Sequence, residues 1–266
     1  MRILFVGDVV GLPGRRVLRS GLASLRTTLR PDLVIANGEN CAGGNGITPA
    51  TAEELFRAGC DVVTTGNHVW DRKEIVPYFA SHERLLRPAN YPAGAPGSGA
   101  CIVSALDGTP VLVVNLMGRV YMPLVDDPFR AADALLRDHA GRAPISIVDF
   151  HAEATSEKVA FSWYVDGRFS AVVGTHTHVA TSDERVSAGG TACITDVGMT
   201  GPHDSVIGVE KTEVLERFLT QRPVRFNTAT EDARLQAVLI ELSPSDGRAT
   251  SIRRVELREG DRDEAG

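Results

Sequence analysis

Two hydrophobic rhythms divide this chain. Short unbroken apolar runs such as RILFV at 2–6 and LVIAN at 33–37 are bounded by glycine and polar residues. Runs of that length predict strands buried on both faces, as in a parallel sheet covered by helices. Between them, Leu18, Leu22, Leu25 and Leu29 return at helical spacing, and Pro31 follows the last turn, so the order is strand, helix, strand. The motif recurs: Thr48 followed by Pro49 is a helix N-cap and first-turn pair, Gly59 is a C-cap, and DVVTTG at 61–66 is the next strand.

Further on, CIVSAL and VLVVNL flank the turn DGTP and predict a hairpin. Asp127 and Pro128 open another helix, and PISIVDF, SAVVG, ACITDV, LQAVLIEL and SIRRVEL are later strands. A mixed sheet or two sheets within an α/β fold follow from this succession. No repeat or shift of composition marks a second domain, so residues 1–258 are expected to form a single domain, with the charged tail 259–266 frayed.

Composition narrows the function. A net charge of −6 argues against broad binding to nucleic-acid backbones, which needs a basic surface, but leaves room for a local anion site. Cys41, Cys60, Cys101 and Cys193 are widely spaced without a CxxC pair, which suggests neither a disulfide framework nor a thiolate zinc site. Asp8 interrupts the first apolar run too early for a signal peptide, and no stretch is long enough to span a membrane. The expectation is a cytoplasmic protein without membrane partners.

The chemistry gathers where strands end. FVGDVVG, IANGEN, TTGNHVWD, VDFHAE and VVGTHTH each break from an apolar run into residues carrying oxygen or imidazole donors. In α/β sheets ligands bind beyond the carboxyl ends of the strands, so these five endings can converge on one crevice. His176 and His178 flank one threonine; on extended backbone, residues two apart point to the same side and suit a metal. Asp8, Glu39, Asn40, Asn67, His151, His176 and His178 are too many ligands for one four-coordinate ion, and two metals sharing a carboxylate fit the count better. Singly, a residue such as Asp8 is more often a turn or cap residue than a ligand, and Gly7, Gly11 and Gly14 match neither the dinucleotide fingerprint nor the P-loop. Agreement among the five endings carries the site.

In this order Asp8, GEN, GNH, a strand-end histidine and GTHTH resemble the calcineurin-like metallophosphoesterases, whose signature runs D-x-H, G-D, G-N-H-[DE], H and G-H-x-H. The resemblance covers most of the chain and is closest to the YmdB-like subfamily, through GDVVGLPGR, NGENCAGGNGIT, TTGNHVWD, VDFHAEATSEK, VVGTHTHVATSD and TDVGMTGP. There are departures. Val10 stands where a histidine is usual, Glu39 replaces the bridging aspartate, and Val69 follows His68 where an acid is usual.

The resemblance implies a four-layer αββα sandwich, with two mixed sheets packed face to face and helices outside. It assigns one metal to Asp8, Glu39, Asn40 and His178 and a second to Glu39, Asn67, His151 and His176, with Glu39 bridging. The oxygen-rich first set favours iron or manganese. It further implies a phosphodiesterase acting on 2′,3′-cyclic nucleotides through a hydroxide held between the metals, with His68 as general acid or charge stabiliser. Competing readings are a phosphomonoesterase on the same metal pair and a metal-loaded regulatory protein that responds to nucleotide or RNA with incidental hydrolysis. Homo-oligomers are common for such enzymes. Arg15 and Arg16 are candidates for phosphate, and Trp70, Trp163, Tyr164 and Phe169 for a base, without assignment.

Overall fold

A computed structural model describes residues 1–260. β1 (Arg2–Val6), β3 (Leu33–Asn37) and β4 (Val62–Thr64) run parallel, joined by α1 (Gly11–Thr28) and α2 (Pro49–Ala58). β12 (Ala233–Leu242) returns antiparallel beside β1 and carries β13 (Ala249–Arg258) and β11 (Met199–Pro202). The short β2 (Asp8–Val9) pairs parallel with β11. In the second sheet, β6 (Pro110–Met117), β7 (Ile145–His151), β8 (Ala171–Thr175) and β10 (Ala192–Ile194) are parallel. Its antiparallel edges are β5 (Ala100–Ser104) and β9 (Arg185–Val186).

Side-chain alternation builds the layers. Ile3, Phe5, Leu33 and Ile35 point between the sheets and meet Val111, Val113, Ile145 and Ile147. Their neighbours Leu4, Val6, Val34 and Ala36 face outward onto Leu18, Leu22 and Leu55 of α1 and α2. On the far side, Leu112, Val148 and Phe150 pack beneath α4 (Pro128–Asp138) and α5 (Thr155–Tyr164), where Phe150 stacks on Phe161 at 4.2 Å. Helices, sheet, sheet and helices are the four layers expected, and each fully buried large side chain contributes roughly 1.5–3 kcal/mol.

The predicted caps form. Thr48 Oγ1 accepts from Thr51 N at 3.2 Å while Thr51 Oγ1 accepts from Thr48 N at 2.9 Å, and Gly59 ends α2 at φ 111°. Asp127 accepts from Phe129 N and opens α4. α1 begins earlier than its leucine spacing suggests, at Gly11. A side chain at Gly14 would lie 2.3 Å from the Thr200 carbonyl, so glycine lets α1 approach β11 closely. Of the tail 259–266, Glu259 donates its N–H to Ala233 O at 2.9 Å and pairs with Arg16, and residues 261–266 lie outside the described residues. Among the described residues no helix is long and apolar enough to cross a membrane. Cys41, Cys60, Cys101 and Cys193 are free thiols.

Candidate metal centre

The inward-facing alternation becomes polar at the carboxyl ends of the strands. Residues 33, 35 and 37 of β3, 145, 147, 149 and 151 of β7, and 171, 173 and 175 of β8 share the inner face, and each row ends in a polar group. Asn37, Thr64, Asp149, His151 and Thr175 are therefore all fully buried between the sheets. β2 and the loops that follow the other strands bring Asp8, Glu39, Asn40, Asn67, His68, His176 and His178 to the same edge.

All seven residues expected as ligands meet here. His151 Nε2 lies 3.1 Å from Glu39 Oε1, 3.1 Å from Asn67 Oδ1 and 3.1 Å from His176 Nδ1. Asn40 Nδ2 is 3.1 Å from Glu39 Oε1 and 3.2 Å from His178 Nε2, and Asp8 Oδ1 is 4.0 Å from His178 Nε2. Asp8 Oδ1 and Asn40 Oδ1 are buried without a hydrogen-bond partner among the described residues. Unpaired buried oxygens are rare because their desolvation is uncompensated. Glu39, His151 and His176 by themselves form a group able to hold an ion.

Thr175 Oγ1 is 2.6 Å from Asp149 Oδ1 and 2.9 Å from His151 Nδ1. With Asp149 ionised, the hydroxyl's single proton goes to that carboxylate, so Thr175 accepts from His151 Nδ1–H. Around Nε2, Glu39 Oε1, Asn67 Oδ1 and His176 Nδ1 all lie at 3.1 Å, three acceptors that a single N–H cannot serve at once and that a cation can. His178 donates Nδ1–H to the Ile207 carbonyl at 2.9 Å, and His176 Nε2 is 3.0 Å from Glu153. Each imidazole is thus fixed at one nitrogen and offers the other to the cluster, the arrangement expected of metal-binding histidines. Neighbouring donors about 3.0–3.4 Å apart are what an ion with ligands at about 2.1 Å requires. The residues fit a cation.

Electrostatics agree. Burial pushes the Asp8 carboxyl up, against the pull of His178 and His151. Burial also opposes ionisation of Glu39, but His151 outweighs it and holds the carboxyl well below its ordinary range. Burial disfavours the charged form of His151 as well, yet Glu39, Asp8 and Asp149 raise it to about 9. Burial and the neighbouring His151 press His176 down to about 3. The pocket attracts one positive charge at His151 and repels a second at His176.

His68 stands at the mouth of the cluster. Its N–H donates to Glu39 Oε2 at 3.1 Å, and its Nδ1 is 2.8 Å from Asp71 Oδ2. Asp71, three residues on, supplies the carboxylate missing from position 69, where Val69 is buried in the core. With Nδ1 occupied, Nε2 is the ring nitrogen available to the cleft. This cleft, about 330 Å³, is bounded by Glu39, Asn40 and the Gly43–Gly44–Asn45 loop on one side and by Ile207, Phe226 and Asn227 on the other.

A family model described as YmdB-like protein matches residues 4–255. The chain belongs to the YmdB-like family. Within or beside it, a Bacillus subtilis protein named 2′,3′-cyclic-nucleotide 2′-phosphodiesterase is 48% identical, over 96% of each chain. A Thermus thermophilus crystal structure of a hypothetical protein has a TM-score of 0.91 and 46% identity, over 97% of this chain and 99% of its own. A Mycoplasma pneumoniae structure described as a novel phosphatase has a TM-score of 0.91 and 32% identity, over 97% and 93%.

This YmdB-like chain also departs from what its sequence suggested. β8 ends at Thr175, and His176 and His178 both adopt positive φ, 104° and 64°. Their imidazoles reach the cluster through a bent loop and not through extended alternation. Asp196 holds that loop: Oδ2 accepts from Thr177 N and Oγ1 at 3.0 and 2.8 Å and from buried Lys158 at 2.8 Å. Arg15 and Arg16 turn away to Glu54 and Glu259. Trp70 packs on Phe79 and Tyr91, Trp163 on Arg185, Tyr164 hydrogen-bonds Asp133, and Phe169 is buried. The aromatic ring on the cleft is Phe226, and it carried no motif. Asp149, Thr175 and Glu153 were likewise unmarked; a polar residue in step with an inward-facing apolar row was the available signal.

Proposed function

We propose that the protein is a metal-dependent phosphodiesterase that opens 2′,3′-cyclic nucleotides, with two metal ions bound by Asp8, Glu39, Asn40, Asn67, His151, His176 and His178. The observation that carries the reading is the convergence of Glu39 Oε1, Asn67 Oδ1 and His176 Nδ1, each 3.1 Å from His151 Nε2, more acceptors than one N–H can serve. The orphan oxygens of Asp8 and Asn40 support a second ion beside it, with Glu39 common to both. Four oxygen donors, three imidazoles and no thiolate suit iron or manganese. Held there, the ions would supply Lewis acidity that neutralises the phosphoryl oxygens and acidifies an attacking water.

The chain's own groups do the rest. Glu39 Oε2 anchors the His68 backbone and Asp71 orients its ring. His68 then donates a proton from Nε2 to the departing ribose oxygen as water adds to phosphorus and one ester bond breaks. The product is a nucleoside monophosphate. Similarity to the Bacillus protein supports the cyclic substrate, whereas the Mycoplasma structure's description favours monoester hydrolysis as the second reading. Turnover of 2′,3′-cyclic AMP and of 3′-AMP at equal protein and manganese separates them. The first reading expects the cyclic ester to be consumed and the monoester to accumulate; inorganic phosphate as the main product from both would replace it with the second.

A further inference from the structure

The outer wall of the cleft is apolar and strained. Val206 and Val209 exchange backbone hydrogen bonds of 2.9 and 3.0 Å around a two-residue turn, Ile207–Gly208, in which both residues have positive φ, 47° and 100°. Glycine adopts that backbone freely, but a β-branched isoleucine there is an outlier. The Ile207 carbonyl receives His178 Nδ1 at 2.9 Å, and the Ile207 side chain stands 53% exposed at the cleft.

Phe226 lies on the same wall and is 49% exposed. Ile207, Val209 and Phe226 line both the cleft and an adjoining apolar groove of about 520 Å³ that runs to Phe218 on α6 (Lys211–Thr220). Beside Phe226, the Asn227 N–H and Nδ2 both donate to Glu213 at 2.6 Å, which fixes the carboxamide and leaves its oxygen as an acceptor. An exposed aromatic face, an aliphatic rim and a fixed amide edge, continuous with a cluster suited to phosphate, match a planar heterocycle with polar edges.

We propose that Phe226 and Ile207 form the nucleobase subsite of this enzyme, Phe226 stacking on the base and Ile207 closing its edge. The assignment rests on the phosphodiesterase reading and extends it from the phosphate to the base. Base–aromatic stacking removed by alanine changes binding roughly 5- to 150-fold, so a loss of about 10-fold is expected.

The test compares kcat/KM for 2′,3′-cyclic AMP with that for methyl ribofuranoside 2,3-cyclic phosphate, which has no base, in the manganese-loaded full chain. Taking the ratio cancels general damage to the site. In Phe226→Ala the ratio falls about 10-fold, and Phe226→Trp restores it. An unchanged ratio in Phe226→Ala, or a parent ratio near one, overturns the subsite while the phosphodiesterase reading stands. A parent that cleaves neither ester sinks that reading and the subsite with it. A dimeric parent that becomes monomeric in Phe226→Ala, with equal loss on both esters, assigns the wall to a second copy and likewise overturns the subsite.

Discussion

Replacing Thr175 with valine keeps the shape of the side chain and deletes one hydroxyl. That hydroxyl donates to Asp149 Oδ1 at 2.6 Å and accepts from His151 Nδ1 at 2.9 Å, and all three residues are fully buried. Losing a hydrogen bond to a charged group costs about 1.5–3 kcal/mol, and leaving a buried N–H unpaired costs about 1–3 kcal/mol. Asp149 retains Thr64 and Asn37 as donors, so the metal-free chain should lose about 3–4 kcal/mol and not the full sum. His151 loses the contact that sets its tautomer, which should weaken metal binding about 10- to 100-fold. Urea denaturation in chelator reads the first quantity, and competition for manganese against a calibrated chelator reads the second. Thr175→Ser should recover most of both. Unchanged manganese affinity in Thr175→Val, or a serine variant as impaired as valine, would refute the hydroxyl's role in orienting His151.

Gly66→Ala places a Cβ 2.2 Å from His151 Cδ2 and 2.4 Å from Glu39 Oε2. Displacing either group by about 1 Å should cost roughly 100-fold in turnover, with metal content falling in parallel; a fully loaded and active variant would contradict the placement of both. His68→Ala should lower kcat about 10²- to 10⁴-fold, and Asp71→Asn by a smaller factor, with both losses shrinking for a p-nitrophenyl leaving group that needs no proton; equal losses on both leaving groups would speak against proton donation. In the metal-free chain His151 is raised from about 6.5 to about 9. Its stabilising contribution is therefore complete below pH 6.5 and lost as pH rises through 9, about 3 kcal/mol in all. Saturating manganese should reverse that slope, because the ion binds the deprotonated ring. Thermal scans across pH 6–10 with and without chelator check the sign.

The sequence was most legible where local chemistry and tertiary role coincide. The runs at 2–6 and 33–37 are strands because both faces are buried, and Thr48, Pro49 and Gly59 mark α2 because caps are local interactions. β2 and β11 escaped notice: two- and four-residue strands exist only through their pairing, nearly 200 positions apart, which no window can contain. α6 escaped for another reason. Val214, Leu215, Phe218 and Leu219 recur at helical spacing, but the run is only ten residues long, no side-chain cap opens it and only Val214 is buried.

The site divides similarly. The seven residues expected as ligands were visible because donors at strand ends break an apolar rhythm, and all seven reach one cluster. Asp149 and Thr175 were hidden inside runs whose inward face turns polar only at the last residues. Asp71 was hidden because a turn, and not adjacency, brings it to His68. The left-handed backbone at His176 and His178 shows that both imidazoles reach the cluster by a local conformation other than the extended one expected.

The most direct test is metal analysis of the purified protein together with hydrolysis of 2′,3′-cyclic AMP before chelation, after it, and after manganese or iron is restored. The expected result is about two ions per chain, activity abolished by chelation, and activity regained with the metal. Hydrolysis that persists in a metal-free chain, or a protein that binds no ion at all, would contradict it.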